Sequence, residues 1–196
     1  MTFLKIILIL KEKAGKYIDF LNANAYDKER DVRTNIAGEF QKSNLAAALQ
    51  TAELICGRLD EDKIYEALSQ IRISGRMEEI APGIIVDVSH NIQGMQGFVQ
   101  TVEANYHGMK KRILFAASHQ NEEEYMKNIL KTIPEIEAFY TVGIHKRRID
   151  EAEFQDAFRK MIDRNQETTV CFVVGSFYLA GMAKEFINQE EENVRL

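Results

Sequence analysis

Two loops in the second half of the chain carry polar side chains of types that could bind a ligand. The first, Asp87-Val88-Ser89-His90-Asn91, follows a buried apolar run, so an acid closes a strand and an imidazole lies in the turn before a helix. The unpaired N–H groups and positive dipole end of such a helix suit a hydroxyl-rich or phosphorylated ligand. The structural alternative is that Ser89 or Asn91 caps the helix while Asp87 accepts bonds from backbone amides. The pattern leaves both interpretations open.

The second loop runs from Val174 to Tyr178, where Gly175 permits a sharp turn and the hydroxyl of Ser176 faces the next helix. It lacks the second glycine of Gly-x-Ser-x-Gly, so the pattern does not favour a nucleophile elbow, and a capping serine is the alternative. A dinucleotide fingerprint is also unsupported, because the glycines of the segment 94–97 lie inside a predicted helix. No catalytic residue is assigned from these motifs.

A basic run at positions 145–148 follows a third predicted strand. Arg147 and Arg148 could hold the carboxylates of an acidic substrate at the same edge of the sheet as the two loops. The alternative is a solvated charge run that pairs with Asp150 and Glu151.

Alternating strands and helices position these loops. Apolar runs predict strands over 83–88, 112–117, 138–142 and 169–174, and helical periodicity predicts helices over 91–105, 122–133, 150–164 and 178–189. Four strand-helix pairs in succession predict an α/β, Rossmann-like, mostly parallel sheet with helices on both faces. The carboxyl ends of its strands should share one edge.

The segment before Gly75 has a different rhythm. It predicts a core strand or buried helix start over 3–10, a short strand over 34–37, and helices over 43–56 and 60–68. Ser43 or Asn44 should lie near the N-cap of the first helix. We therefore expect two domains, residues 1–71 and 72–196.

Composition excludes several classes of protein. The chain has 196 residues, 45% of them hydrophobic, and a net charge of −5, so nothing drives it toward nucleic acid or an anionic membrane. The apolar run over 3–10 is shorter than the roughly 20 residues of a membrane span and lacks a cleavage site, so we expect a cytoplasmic protein. Cys56 and Cys171 lie in no metal-binding spacing, so no metal site is predicted.

Four segments, taken in order, resemble motifs of the folylpolyglutamate synthase/dihydrofolate synthase family of Mur-type ligases. They are 38–49 (Gly-x-x-Gln-x-x-Asn-x-x-x-Ala-Leu), 74–80 (Pro-Gly-Arg-hydrophobic-Glu), 84–91 (Asp-Gly-Ala-His-Asn) and 174–181 (Gly-Ser-x-Tyr). The resemblance implies that 72–196 is a Mur ligase C-terminal domain and that 1–71 is a helical remnant of the central ATPase domain. It also implies an amide-bond ligase: ATP, with Mg²⁺, phosphorylates a folate or pteroate carboxylate, and glutamate attacks the acyl phosphate.

The resemblance assigns roles to single residues. Asn44 would face the adenine, Arg76 would reach the ATP phosphates, Asp87 would bind the ribose hydroxyls, and His90 would support the nucleotide, while Ser176 would lie nearer the amino acid. The structural alternatives are a salt bridge from Arg76 to a neighbouring glutamate and a capping role for Asn44.

Departures from the family pattern limit the expected activity. No phosphate-binding loop of the Gly-x-x-x-x-Gly-Lys-Ser/Thr type occurs, and Val88 and Ser89 replace the family's Gly and Ala. The segment 118–122 replaces a usual Asp-Lys pair. We therefore expect this chain to need a separate N-terminal ATPase half, which would also supply the Mg²⁺ ligands. The alternative is a non-catalytic remnant that acts as a nucleotide-binding or protein-interaction module.

Overall fold

The computed structural model describes residues 39–56, 60–70, 73–118, 120–146, 148–162 and 168–194. The elements predicted over 3–10 and 34–37 lie outside these residues. The chain divides into two compact units, one that contains Phe40–Ile71 and one that contains Arg72–Leu196.

The first unit contributes two described helices, α1 (Glu39–Cys56) and α2 (Glu61–Gln70). The prediction that Ser43 or Asn44 lies near the N-cap of the first helix is wrong, because α1 already includes Glu39. Residues 39–42 are mostly good helix formers without glycine or proline, so nothing in them stops the helix from starting earlier. Asn44 therefore lies inside α1 with an exposed side chain, and its Nδ2 donates to Oε1 of the buried Gln41 at 3.0 Å.

The second unit is built on a five-stranded sheet. Its strands are β1 (Glu78–Ala81), β2 (Ile84–Asp87), β3 (Lys110–Phe115), β4 (Ile136–Thr141) and β5 (Thr169–Val174). Its helices are α3 (Ile92–Asn105), α4 (Glu123–Leu130, after a 3-10 turn over Gln120–Glu122), α5 (Glu151–Ile162) and α6 (Phe177–Val194). The strand order is β1-β2-β5-β3-β4, with every neighbouring pair parallel except β1 and β2. This arrangement confirms the predicted α/β, mostly parallel fold.

Strand β1 was not predicted from the sequence. It is four residues long and contains two glutamates, so it lacks the apolar run that marks a buried strand. It forms a hairpin with β2 through Pro82 and Gly83, whose φ is 71°. Proline followed by a glycine with positive φ is typical of a tight turn, so this dipeptide was the signal for the hairpin.

The core lies on both faces of the sheet. Alternate residues of β5 supply each face: Cys171 and Val173 pack in one apolar cluster, and Val170, Phe172 and Val174 pack in the other. The first cluster includes buried residues of α5 and α6, and the second includes those of α3 and α4. Because β5 is the central strand, all six of its residues are buried, and the helices cover both faces as predicted.

Candidate functional site

Three loops meet at the carboxyl edge of the parallel strands. Strands β2 and β5 are parallel neighbours in which Asp87 lies opposite Val174, so the loops that follow them leave the sheet side by side. Strand β3 lies on the other side of β5, and Oγ of Ser118 donates to Oγ of Ser176 at 3.3 Å. The expectation that the Asp87 and Ser176 loops share one edge is confirmed, and this edge is the natural ligand position in such sheets.

Asp87 is buried and its carboxylate is bonded inside the protein. Oδ1 accepts from the backbone N–H of Ser89 at 2.9 Å and from its hydroxyl at 2.5 Å, while Oδ2 accepts from the N–H of Met77 at 3.0 Å. Burial raises the pKa of Asp87, and these bonds offset part of that rise. The structural interpretation of Asp87 is therefore present in the molecule, and contact with a ribose stays a prediction.

Arg76 lies in a tight turn that is held against the Asp87 loop. Gly75 has a φ of 72° and Met77 a φ of 44°, and the N–H of Val88 donates to the Gly75 carbonyl at 2.8 Å. A Cβ on Gly75 would lie 2.7 Å from Cγ1 of Val88, so only glycine fits. Among the described residues, no carboxylate lies within ion-pair distance of the half-buried Arg76, so the alternative of a salt bridge to a neighbouring glutamate is not found.

The neighbouring acid, Glu78, is paired elsewhere. Its Oε2 accepts from the N–H of Gly75 at 2.6 Å, and Nζ of Lys184 on α6 lies 2.7 Å from Oε1 and 2.8 Å from Oε2. Burial acts to raise the pKa of Glu78, but the bonds from Lys184 and Gly75 outweigh it and hold that pKa below its ordinary value. The Arg76 turn is thus tied both to the Asp87 loop and to α6.

His90 presents an imidazole at the same edge. Its Nδ1 lies 3.0 Å from the carbonyl oxygen of Val88, so Nδ1 carries the proton and donates, and Nε2 is left as the acceptor. Its ring centroid lies 5.5 Å from that of Phe177, which is 59% exposed. Asn91 caps α3 by accepting from the N–H of Gly94 at 2.7 Å, so the cap of this helix is Asn91 rather than Ser89.

Ser176 is buried and acts as the cap of α6. Its hydroxyl oxygen accepts from the N–H of Tyr178 at 3.1 Å and from Ser118. The exposed groups beside it are the rings of Phe177 and Tyr178. A contact between Ser176 and an amino acid substrate therefore stays a prediction.

The basic run follows β4, which is parallel to β3, so it emerges at the same end of the sheet. Strand β4 is an edge strand, however, with β3 and β5 between it and β2, and three strand spacings amount to about 14 Å. Arg148 is exposed and exchanges two backbone hydrogen bonds with His145, of 2.8 and 2.9 Å. Arg147 lies outside the described residues.

The acids next to the basic run do not neutralise it. Asp150 instead accepts from the N–H of Glu153 at 2.9 Å at the start of α5. Within the part of the chain that the structure describes, neither Arg148 nor Lys146 has a carboxylate within ion-pair distance. The alternative of pairing with Asp150 and Glu151 is therefore not found for Arg148.

Two searches of the described residues gave negative results. No group of three or more His, Cys, Asp or Glu side chains there could hold a metal ion, so Mg²⁺ ligands are not among these residues. None of the described helices has the length and apolar character needed to cross a membrane.

The sheet order, the antiparallel hairpin strand and the three converging loops define a Rossmann-like domain of the Mur ligase C-terminal type. Comparison with known proteins gives the relatives. The chain is 23% identical over 109 residues to the dihydrofolate synthase/folylpolyglutamate synthase of Bacillus subtilis (strain 168), a match that covers 53% of this chain and 25% of that protein. No family model matches the chain.

Solved structures of this type share the fold. E. coli FolC in complex with DHPP and ADP matches with a TM-score of 0.67 and 17% identity over 76% of this chain and 39% of that one. The folylpolyglutamate synthetase from Lactobacillus casei matches with a TM-score of 0.61 and 20% identity over 79% of this chain and 39% of that one. These matches confirm the resemblance to the C-terminal portion of folylpolyglutamate synthases. The chain spans about a quarter of the curated relative and about two fifths of the solved chains.

Proposed function

We propose that this chain is the C-terminal portion of an ATP-dependent folylpolyglutamate or dihydrofolate synthase-type ligase, which adds L-glutamate to a folate or pteroate carboxylate through an acyl phosphate. In this proposal a separate N-terminal half completes the ATPase site. The observation that carries it is the guanidinium of Arg76, which is fixed by its backbone at the carboxyl edge of the sheet and has no acidic partner among the described residues.

The nucleotide is assigned to the edge formed by the Arg76 turn and the Asp87 loop. A planar guanidinium matches the geometry of phosphate oxygens, and Nε2 of His90 is available as an acceptor for a hydroxyl or amino group. Asp87 holds the Met77 and Ser89 backbone in place through its buried bonds, so it orders the loop on which His90 lies. Asn44, with its exposed amide in the first unit, is assigned to the adenine.

The acidic substrate is assigned to the basic run and the Ser176 loop. Arg148 is exposed and unpaired within the described residues, as a group that recognises glutamate carboxylates requires. Arg147 is assigned the same role. ATP with Mg²⁺, when bound, would supply the activated carboxylate, and the task of this chain would be to hold the nucleotide and the incoming amino acid in a reactive orientation.

The proposal is tested by binding. Purified full chain is titrated by calorimetry with a non-hydrolysable ATP analogue and with adenosine. A charged hydrogen bond contributes about 1.5–3 kcal/mol, so Arg76→Ala should weaken binding of the analogue by roughly tenfold or more and leave adenosine unchanged. Arg76→Lys should lose nearly as much, because an ammonium cannot make the bidentate contact. Arg159→Ala, which removes an exposed arginine of α5, is the control.

Two results would contradict this assignment: no measurable binding of the analogue by the unmodified chain, or an equal loss for the analogue and adenosine in Arg76→Ala. The absence of a phosphate loop from the sequence favours a second candidate, a module that binds nucleotide without catalysis. Mixing the chain with the N-terminal half of a homologous ligase separates the two. ATP-dependent ligation of glutamate that is lost with Arg76→Ala supports the ligase, whereas nucleotide binding without ligation supports the module.

A further inference from the structure

The Arg76 turn contains an anion that could compete for Arg76. Glu78 lies two residues from Arg76, so their Cα atoms are separated by about 7 Å at most. The side chains of an arginine and a glutamate are long enough to span that distance. In the structure the two are nevertheless unpaired, although an arginine with no other partner is beside a carboxylate.

Lys184 accounts for this separation. It reaches from α6, 106 residues along the chain, and its ammonium contacts both carboxylate oxygens of Glu78 at 2.7 and 2.8 Å as well as the hydroxyl of Ser74 at 2.7 Å. On the other side, Glu78 accepts from the N–H of Gly75 at 2.6 Å. The carboxylate is therefore neutralised and turned toward α6 and the turn backbone. The side chains of Lys184 and Glu78 are 32% and 30% exposed, so the pair is only partly screened by solvent.

From this geometry we propose that Lys184 is a positioning residue for Arg76: by holding Glu78, it keeps that carboxylate from pairing with Arg76 and leaves the guanidinium free for an anionic ligand. The inference rests on the proposed nucleotide role of Arg76. It predicts that loss of Lys184 harms binding only because Glu78 is present. A simple packing role for Lys184 would not depend on the charge of Glu78.

Binding of the ATP analogue to the full chain provides the first test. Lys184→Met should weaken binding by about tenfold, the same loss as Arg76→Ala, because Glu78 then captures Arg76. Glu78→Gln keeps an oxygen for the Gly75 N–H but carries no charge, so the double variant Lys184→Met/Glu78→Gln should return to within about twofold of the unmodified chain. Lys184→Arg should bind normally. Lys160→Met, which removes an exposed lysine and its 2.7 Å ion pair with Asp156 on α5, is the matched control.

The result that overturns the inference is unchanged binding in Lys184→Met, or a loss that Glu78→Gln does not relieve. A second measurement needs no ligand and so separates failure of this inference from failure of the proposed function. The titration of the Glu78 carboxyl is followed by NMR in Lys184→Met and in Lys184→Met/Arg76→Gln. If Arg76 takes over the pairing, the pKa of Glu78 stays below its ordinary value in the first variant and rises in the second. A rise already in Lys184→Met alone would refute the capture of Arg76.

Discussion

Replacement of Gly175 by alanine should destabilise the second unit strongly. Gly175 is the first residue after the central strand β5, and its φ is 106°, a conformation that L side chains rarely adopt. A Cβ at this position would lie 2.5 Å from the carbonyl oxygen of Ala116 and 2.6 Å from Cε2 of Phe115. Both neighbours belong to the β3 end of the sheet, and the carbonyl is backbone, so it cannot move aside like the end of a flexible side chain.

The magnitude has two parts. A left-handed backbone costs an L residue roughly 1–2 kcal/mol, and forcing an extra carbon into a packed site costs about 1–3 kcal/mol. Gly175→Ala should therefore lower the free energy of unfolding by about 2–5 kcal/mol. That is a large share of the roughly 5–15 kcal/mol by which an ordinary domain is stable.

Urea denaturation followed by far-UV circular dichroism measures this loss. Gly181→Ala is the matched control, since Gly181 is an exposed residue of α6 with no atom within 4 Å of its added Cβ. In a helix the exchange of glycine for alanine stabilises by about 1 kcal/mol, so the two variants should move in opposite directions. If Gly175→Ala unfolded within about 0.5 kcal/mol of the unmodified chain while Gly181→Ala gained stability, the described geometry of the Gly175 turn would be refuted.

Three further results are expected. The purified chain alone should not ligate glutamate to folate substrates, and turnover in an ADP-release assay with host ligase excluded would contradict this. Ser176→Ala should lower the free energy of unfolding by about 1 kcal/mol, because it removes the cap that accepts from the N–H of Tyr178, and an unchanged urea midpoint would disprove that role. Burial raises the pKa of Asp87 above its ordinary value of 3.8, so the stability due to this carboxyl is complete below that value and is lost as the pH rises through the raised pKa. Stability measured from about pH 4 to about pH 7 should therefore fall relative to that of Asp87→Asn, and parallel curves would contradict the direction.

The strands could be predicted because the sheet is buried on both faces. Continuous apolar runs identified β2, β3 and β5, and β5 was predicted with its observed bounds, 169–174. Strand β1 escaped because its acidic, four-residue segment has no such run. The misplaced start of α1 shows the reverse problem: Asn44 is a good capping residue, but the favourable helix formers before it extend the helix past that signal.

The common edge of the two loops could also be predicted, since parallel strands that each precede a helix must end on the same side of the sheet. The bonds inside the site could not. Asp87 accepts from Met77, ten residues away, and Lys184 reaches Glu78 across 106 residues. Such contacts depend on the path of the whole chain, and no local pattern of residue types contains them.

The Arg76 turn is difficult to explain by stability alone. A non-glycine residue, Met77, is held at positive φ, which costs of order 1–3 kcal/mol, and bonds from the Asp87 loop and the Glu78–Lys184 pair maintain it. All of these bonds fix the backbone, while the guanidinium that the turn presents has no acidic partner among the described residues. A strained, rigid support for an unpaired cation is the arrangement expected where an anion binds from outside. Because the sequence has no phosphate loop, the remaining contacts to such an anion must come from another polypeptide, which makes complementation by an N-terminal half the decisive requirement of the ligase proposal.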